Sequence, residues 1–171
     1  NPNEKKNYRS RCSALIKTKQ KNILIDTSPD LKFQLKNNNI KSINSVLYSH
    51  FHADQTHGIN DLRGFFLATK KKISVYADPA TKKYLMSSFN YCFSKAKFKE
   101  RIGYPPILDL KNLKKTIKFK IGNKSLKIQS IPVKHGNIDC MSFIINRKLA
   151  YASDINGFYD KDIKFFKNLK Y

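Results

Sequence analysis

The residues best suited to chemistry lie in one stretch, Ser49-His50-Phe51-His52-Ala53-Asp54-Gln55-Thr56-His57-Gly58, which holds three of the chain's four histidines. Neutral imidazoles and carboxylates are the usual ligands of zinc and other borderline divalent ions. The stretch follows the apolar run Val46-Leu47-Tyr48, which reads as a strand. Residues two apart share a face as a chain leaves a strand, so His50 and His52 can converge on one ion. Asp54, on the turn that follows, can reach a second.

Three further segments place a ligand type where a strand is expected to end. They are Val133-Lys134-His135-Gly136, Tyr151-Ala152-Ser153-Asp154 and, upstream, Ile23-Leu24-Ile25-Asp26-Thr27-Ser28-Pro29-Asp30. With these motifs the chain resembles the metallo-β-lactamase-fold hydrolases, whose signature is His-x-His-x-Asp-His at the end of a strand. His50, His52 and Asp54 match that signature, and Gln55 stands where it has the histidine of a second metal. The wording His-Ala-Asp-x-x-His-Gly-Ile-x-Asp-Leu-Arg from His52 to Arg63 is most similar to the branch around the cyclic-phosphoribosyl phosphodiesterase of phosphonate breakdown.

The resemblance implies an α/β (α+β) fold, the αββα sandwich, with its ligand-bearing loops gathered at one edge. It implies a first metal on His50, His52 and His135, and a second on Asp54 and Asp154, with Asp154 reaching both. Asp26 is expected to stand behind the ligands and orient them. Family members also carry a glycine-rich first strand and a further histidine motif near the second metal. Neither is found here, so residues 1–171 read as one such domain cut at both ends.

Such a site has a definite chemistry. Three imidazoles leave a coordination position open for water. A second ion would create a bridging hydroxide and clamp the attacking and departing oxygens of a displacement at phosphorus, with Asp54 and Asp154 as the catalytic carboxylates. Gln55 complicates this, because an amide oxygen is a neutral, weak zinc ligand. The expectation is therefore zinc or manganese, one or two ions per chain. His57 either hydrogen-bonds within its loop or substitutes weakly for the missing ligand. Read singly, His135 before a glycine is a turn histidine and Asp154 a capping residue; the upstream cluster is what raises both.

The surrounding pattern must position these groups. Arg11 to Lys17 and Asn22 to Thr27 read as strands, the second apolar on both faces. A helix follows with Ser28 as N-cap, Pro29 at its first position and Asp30 suiting the dipole. Asp61 to Lys70 has a helical stripe in Leu62, Phe65 and Phe66, and Ile73 to Tyr76 reads as a strand. Asp78-Pro79 opens another helix. A basic, aromatic loop spans Tyr91 to Pro106, and long loops often serve function. Arg101 and Tyr104 within it are the expected substrate contacts. Ile117 to Ile121 returns through Gly122-Asn123 toward His135 as a hairpin, Met141 to Ile145 pairs with Leu149 to Ala152, and Asp160 to Leu169 reads as a helix.

A net charge of +22 invites a nucleic-acid reading. The cations are nearly all lysine and spread along the chain, however, with Lys70-Lys71-Lys72 the one true run, which favours a solvated surface that steers anions. Cys12, Cys92 and Cys140 form no Cys-x-x-Cys pair, and they fit buried thiols in a reducing cytoplasm. No apolar run approaches the roughly 20 residues of a membrane span. The leading expectation is a cytoplasmic hydrolase, a phosphodiesterase on a small anionic cyclic or nucleotide-like diester. One rival is an RNA-processing endonuclease resembling tRNA 3′-end nucleases. Another, of a different class, is a non-catalytic metal- or ligand-binding module degenerated at Gln55.

Overall fold

The computed structural model describes residues 4–7, 9–94 and 105–171. The first sheet takes its strands in chain order: β1 (Ala14–Lys17), β2 (Asn22–Ile25), β3 (Ser45–Leu47), β4 (Ile73–Ala77) and β5 (Leu108–Asn112). β1 is antiparallel to β2, and the remaining pairs are parallel. Parallel neighbours need crossovers. These contain α1 (Leu31–Asn37), then α2 (Ala53–Thr56) and α3 (Arg63–Thr69), then α4 (Pro79–Ser88) and α5 (Asn90–Phe93). The second sheet is an antiparallel meander of β6 (Thr116–Ile121), β7 (Lys124–His135), β8 (Ile138–Ile145) and β9 (Leu149–Tyr151).

The two-residue period of a strand explains the layers. Leu24, Val46 and Val75 pack beneath the helices against Leu31, Leu62 and Leu85. Their neighbours Ile23, Ile25 and Leu47 point the other way, into a layer with Phe119, Leu126, Ile128 and Phe143 of the second sheet. The continuous apolar run of β2 is thus the mark of a strand covered on both faces. Each fully buried large side chain stabilises by about 1.5–3 kcal/mol, so the two layers hold the strand ends firmly together.

Several expected boundaries move. β1 starts at Ala14 rather than Arg11. The first helix begins at Leu31, with no side-chain cap. Ser28 instead donates to Gln34 Oε1 at 3.0 Å, and the Asp30 carboxylate accepts the Arg11 N–H at 2.7 Å. Residues 59–62 form a 3-10 turn before α3. Asp78 caps α4 as expected, accepting from Ala80 and Thr81. The stretch expected to be a loop from Tyr91 begins inside α5; Arg101 and Tyr104 lie outside the described residues. The helix expected over Asp160 to Leu169 reduces to a 3-10 turn, Ile163–Phe165. There Ile163 is 42% exposed, so no buried apolar stripe supports a longer helix, and Asn168 adopts a left-handed φ of 58° that ends it.

Candidate metal centre

The site forms where β2, β3, β7 and the segment after β9 end together. At the end of β3 the Ser49 N–H donates to Asp26 Oδ1 at 2.7 Å. The Ser49 carbonyl accepts the Met141 N–H of β8 at 2.8 Å. The residue preceding His50 is therefore tied to both sheets. Ser49 Oγ lies 3.0 Å from His50 Nδ1, which fixes the ring and turns Nε2 inward. His52 is the N-cap of the one-turn α2.

His135 ends β7 at the tight turn into β8, where Gly136 has a φ of 57° that glycine accepts at no steric cost. The Gly136 N–H donates to Asn156 Oδ1 at 2.6 Å, and Lys134 exchanges backbone bonds with Asn156 and Gly157. These bonds strap the segment after β9 against β7, and with it comes Asp154.

Three imidazoles converge. The ligand atoms of His50, His52 and His135 lie within 4.8 Å of one another, and His135 Nε2 is 3.2 Å from His52 Nδ1. His50 is 1% exposed, and its Nε2 has no hydrogen-bond partner. A buried polar atom without a partner is costly. Burial first, and the neighbouring His52 second, push the His50 pKa down to about 4, so the ring is neutral at physiological pH. A neutral imidazole facing two others is what a divalent cation needs, and the residues fit such an ion.

The carboxylate side of the site is arranged differently. Asp154 Oδ2 is 3.6 Å from His50 Nε2. The same oxygen accepts from Gln55 Nε2 at 3.1 Å, and Asp54 Oδ2 accepts from that nitrogen at 3.1 Å as well. Cys12 Sγ lies 3.4 Å from it. Gln55 is fully buried, held by the Thr27 N–H on its carbonyl at 2.7 Å. Gly58 closes this turn: a Cβ there would stand 2.0 Å from the Ser28 carbonyl oxygen. The chain needs glycine for that approach.

Asp26 lies behind the ligands, fully buried, with a φ of 61° and its Oδ2 unpartnered. Burial raises its pKa to about 7, against the hydrogen bonds from Ser49 that lower it. His57 is placed away from the other three histidines, with Nε2 3.0 Å from the Tyr84 hydroxyl of α4 and its ring edge-on to Phe89. The ring is thus hydrogen-bonded, but to a residue of α4 and not within its own loop.

Three residues at the site were not singled out in the sequence. Ser49 had a signal, since it precedes His50 at a strand end. Tyr151, whose buried hydroxyl has no hydrogen-bond partner, and Cys12 had none. Cys92 and Cys140 are buried as expected, whereas Cys12 is exposed.

A family profile described as a β-lactamase superfamily domain matches residues 21–170. The chain belongs to this superfamily. Its two sheets and helical layer are the metallo-β-lactamase fold, and the solved structures agree. A diphosphatase from the PhnP family, 24% identical, superposes with a TM-score of 0.77 over 94% of this chain and 58% of its own. Human tRNase Z, short form, 14% identical, does so at 0.67 over 94% of this chain and 69% of its own. In Porphyromonas gingivalis a protein named octanoyltransferase is 28% identical over 165 residues, which are 95% of this chain but 31% of that protein. The chain thus spans only part of the relatives it matches.

Proposed function

We propose that this member of the superfamily is a metal-dependent hydrolase, a phosphodiesterase on a small cyclic or nucleotide-like diester. The observation that carries the reading is the buried Nε2 of His50, without a hydrogen-bond partner and facing two further imidazoles. Likeness to a diphosphatase of the PhnP family supports a phosphorus centre as the target. His50, His52 and His135 would hold the ion, zinc or manganese, with Asp154 beside them. When bound, it supplies Lewis acidity and a lowered pKa for water.

The chain's own groups do the rest. In hydrolysis, water adds to phosphorus, a P–O ester bond breaks, and the water's proton must pass to the departing oxygen. The Asp154 carboxylate, next to the imidazoles, is the acceptor for that proton, and Asp54 is held beside it through Gln55. The net charge of +22 draws an anionic diester inward. Arg101 and Tyr104 are assigned to substrate contact by their place in the sequence. A cytoplasmic location accompanies this reading, and among the described residues no helix is long and apolar enough to cross a membrane. The test is His52→Ala, expected to abolish metal retention and diester hydrolysis together; unchanged hydrolysis would sink the reading.

A second reading, RNA processing, has one observation in its favour. Between β5 and β6 lies a cleft of about 860 Å³ lined by Tyr76, Lys82, Lys111, Lys114 and Lys118. Lysines gathered in a cleft suit a phosphate backbone. Tight tRNA binding that weakens steeply with salt would place this reading first. Metal retention with no turnover of any diester would instead favour a binding module.

A further inference from the structure

The two halves of the site stand in different electrostatic states, and Gln55 is the reason. Two carboxylate oxygens, Asp54 Oδ2 and Asp154 Oδ2, and the Cys12 sulfur converge on one point, at 3.1, 3.1 and 3.4 Å from it. Two anionic oxygens and a sulfur around one centre are a donor set for a cation. The centre is occupied by the Gln55 amide nitrogen. Its orientation follows from chemistry: the NH2 group has two protons to give, whereas the amide oxygen would meet two carboxylates as a third acceptor.

We infer that the Gln55 carboxamide takes the place of a second cation, so that this chain binds a single divalent ion, at the three imidazoles. The inference rests on the metal-dependent reading above and sharpens it. The amide's two N–H groups satisfy Asp54 and Asp154 without adding charge. A second ion on the same two oxygens would have to displace that amide group. The same Asp154 oxygen that Gln55 holds lies 3.6 Å from His50 Nε2. Gln55 is therefore also a positioning residue for the ion's surroundings, acting through Asp154.

Two variants separate this arrangement from its alternatives. Gln55→Glu keeps the size of the side chain but turns a donor into a third carboxylate, which a cation must neutralise. Gln55→His places an imidazole there. Each protein is equilibrated with excess zinc, freed of unbound metal and measured for zinc per chain by elemental analysis. The expected result is one ion in the unsubstituted chain and two in both variants. Metal-free Gln55→Glu should also melt below the unsubstituted chain and recover with zinc.

Two ions in the unsubstituted chain would overturn the inference while leaving the metal-dependent reading intact. One ion in both variants would overturn the role given to the amide. No ion in the unsubstituted chain would remove the metal-dependent reading and this inference together.

Discussion

The imidazole half and the carboxylate half of this site are built from the same kind of material but end in opposite conditions. His50 Nε2 is buried with no hydrogen-bond partner, so that half is incomplete as protein alone. Asp54 and Asp154 share an amide donor, so the other half is already complete. If the Gln55 amide stands in for a second cation, ligand-type residues at strand ends do not by themselves set the number of ions, and a neighbouring side chain that supplies what an ion would also counts.

The largest way to break that contrast is His52→Ala. It removes one of three converging donors, and metal retention, read by elemental analysis, should be lost altogether. Gly58→Ala acts on the other half. With 2.0 Å between the new Cβ and the Ser28 carbonyl, backbone must shift, and overpacking of this kind costs about 1–3 kcal/mol. Urea unfolding should show that loss. The turn carrying Asp54 and Gln55 should move, and zinc retention should fall less than in His52→Ala, because His50 and His135 are held from other elements.

Ser49→Ala returns to the imidazole half with a smaller effect. It deletes the Oγ contact to His50 Nδ1 at 3.0 Å and keeps the backbone bonds. Loss of a partner that orients a ligand typically lowers metal affinity by about 10–100-fold. A competition titration with a chromophoric chelator measures this, and a change under twofold would show that the ring is fixed by packing alone.

The smallest expected effect concerns Asp26, beneath both halves, in the metal-free protein. Its folded pKa of about 7 stands above the ordinary 3.8. Its contribution to stability is thus full below 3.8 and is lost as pH rises through about 7. His50 has the opposite sign, about 4 folded against 6.5. Its contribution is present above 6.5 and lost as pH falls through about 4. Between those limits the two slopes oppose each other. Asp26→Asn leaves His50 alone, so the variant's stability should climb from pH 4 to 6.5 more steeply than that of the unsubstituted chain. Parallel urea midpoints across that range would contradict the assignment.

Much of the fold is legible because its signals are local. The both-faces-apolar Ile23-Leu24-Ile25 announces a covered strand, Asp78-Pro79 a helix start, and Gly122-Asn123 a hairpin. The failures come where a distant part of the chain decides. Asp160 to Leu169 has residues a helix tolerates but no apolar stripe that the rest of the chain covers, so it folds as a 3-10 turn. His57 looks like a ligand by its place among histidines, yet Tyr84, 27 residues on, takes its ring nitrogen.

The sequence by itself determined which ligand types the chain carries and that each follows a strand, since residue identity and a two-residue period need no tertiary knowledge. Only the tertiary structure decided which atoms are left without partners. The Gln55 amide meets Asp154 across 99 residues and Cys12 across 43. Those meetings depend on how two sheets pack and where a strap after β9 is tied. Periodicity reports the face on which a side chain lies; it does not report what stands opposite that face, and a metal site is defined by what stands opposite.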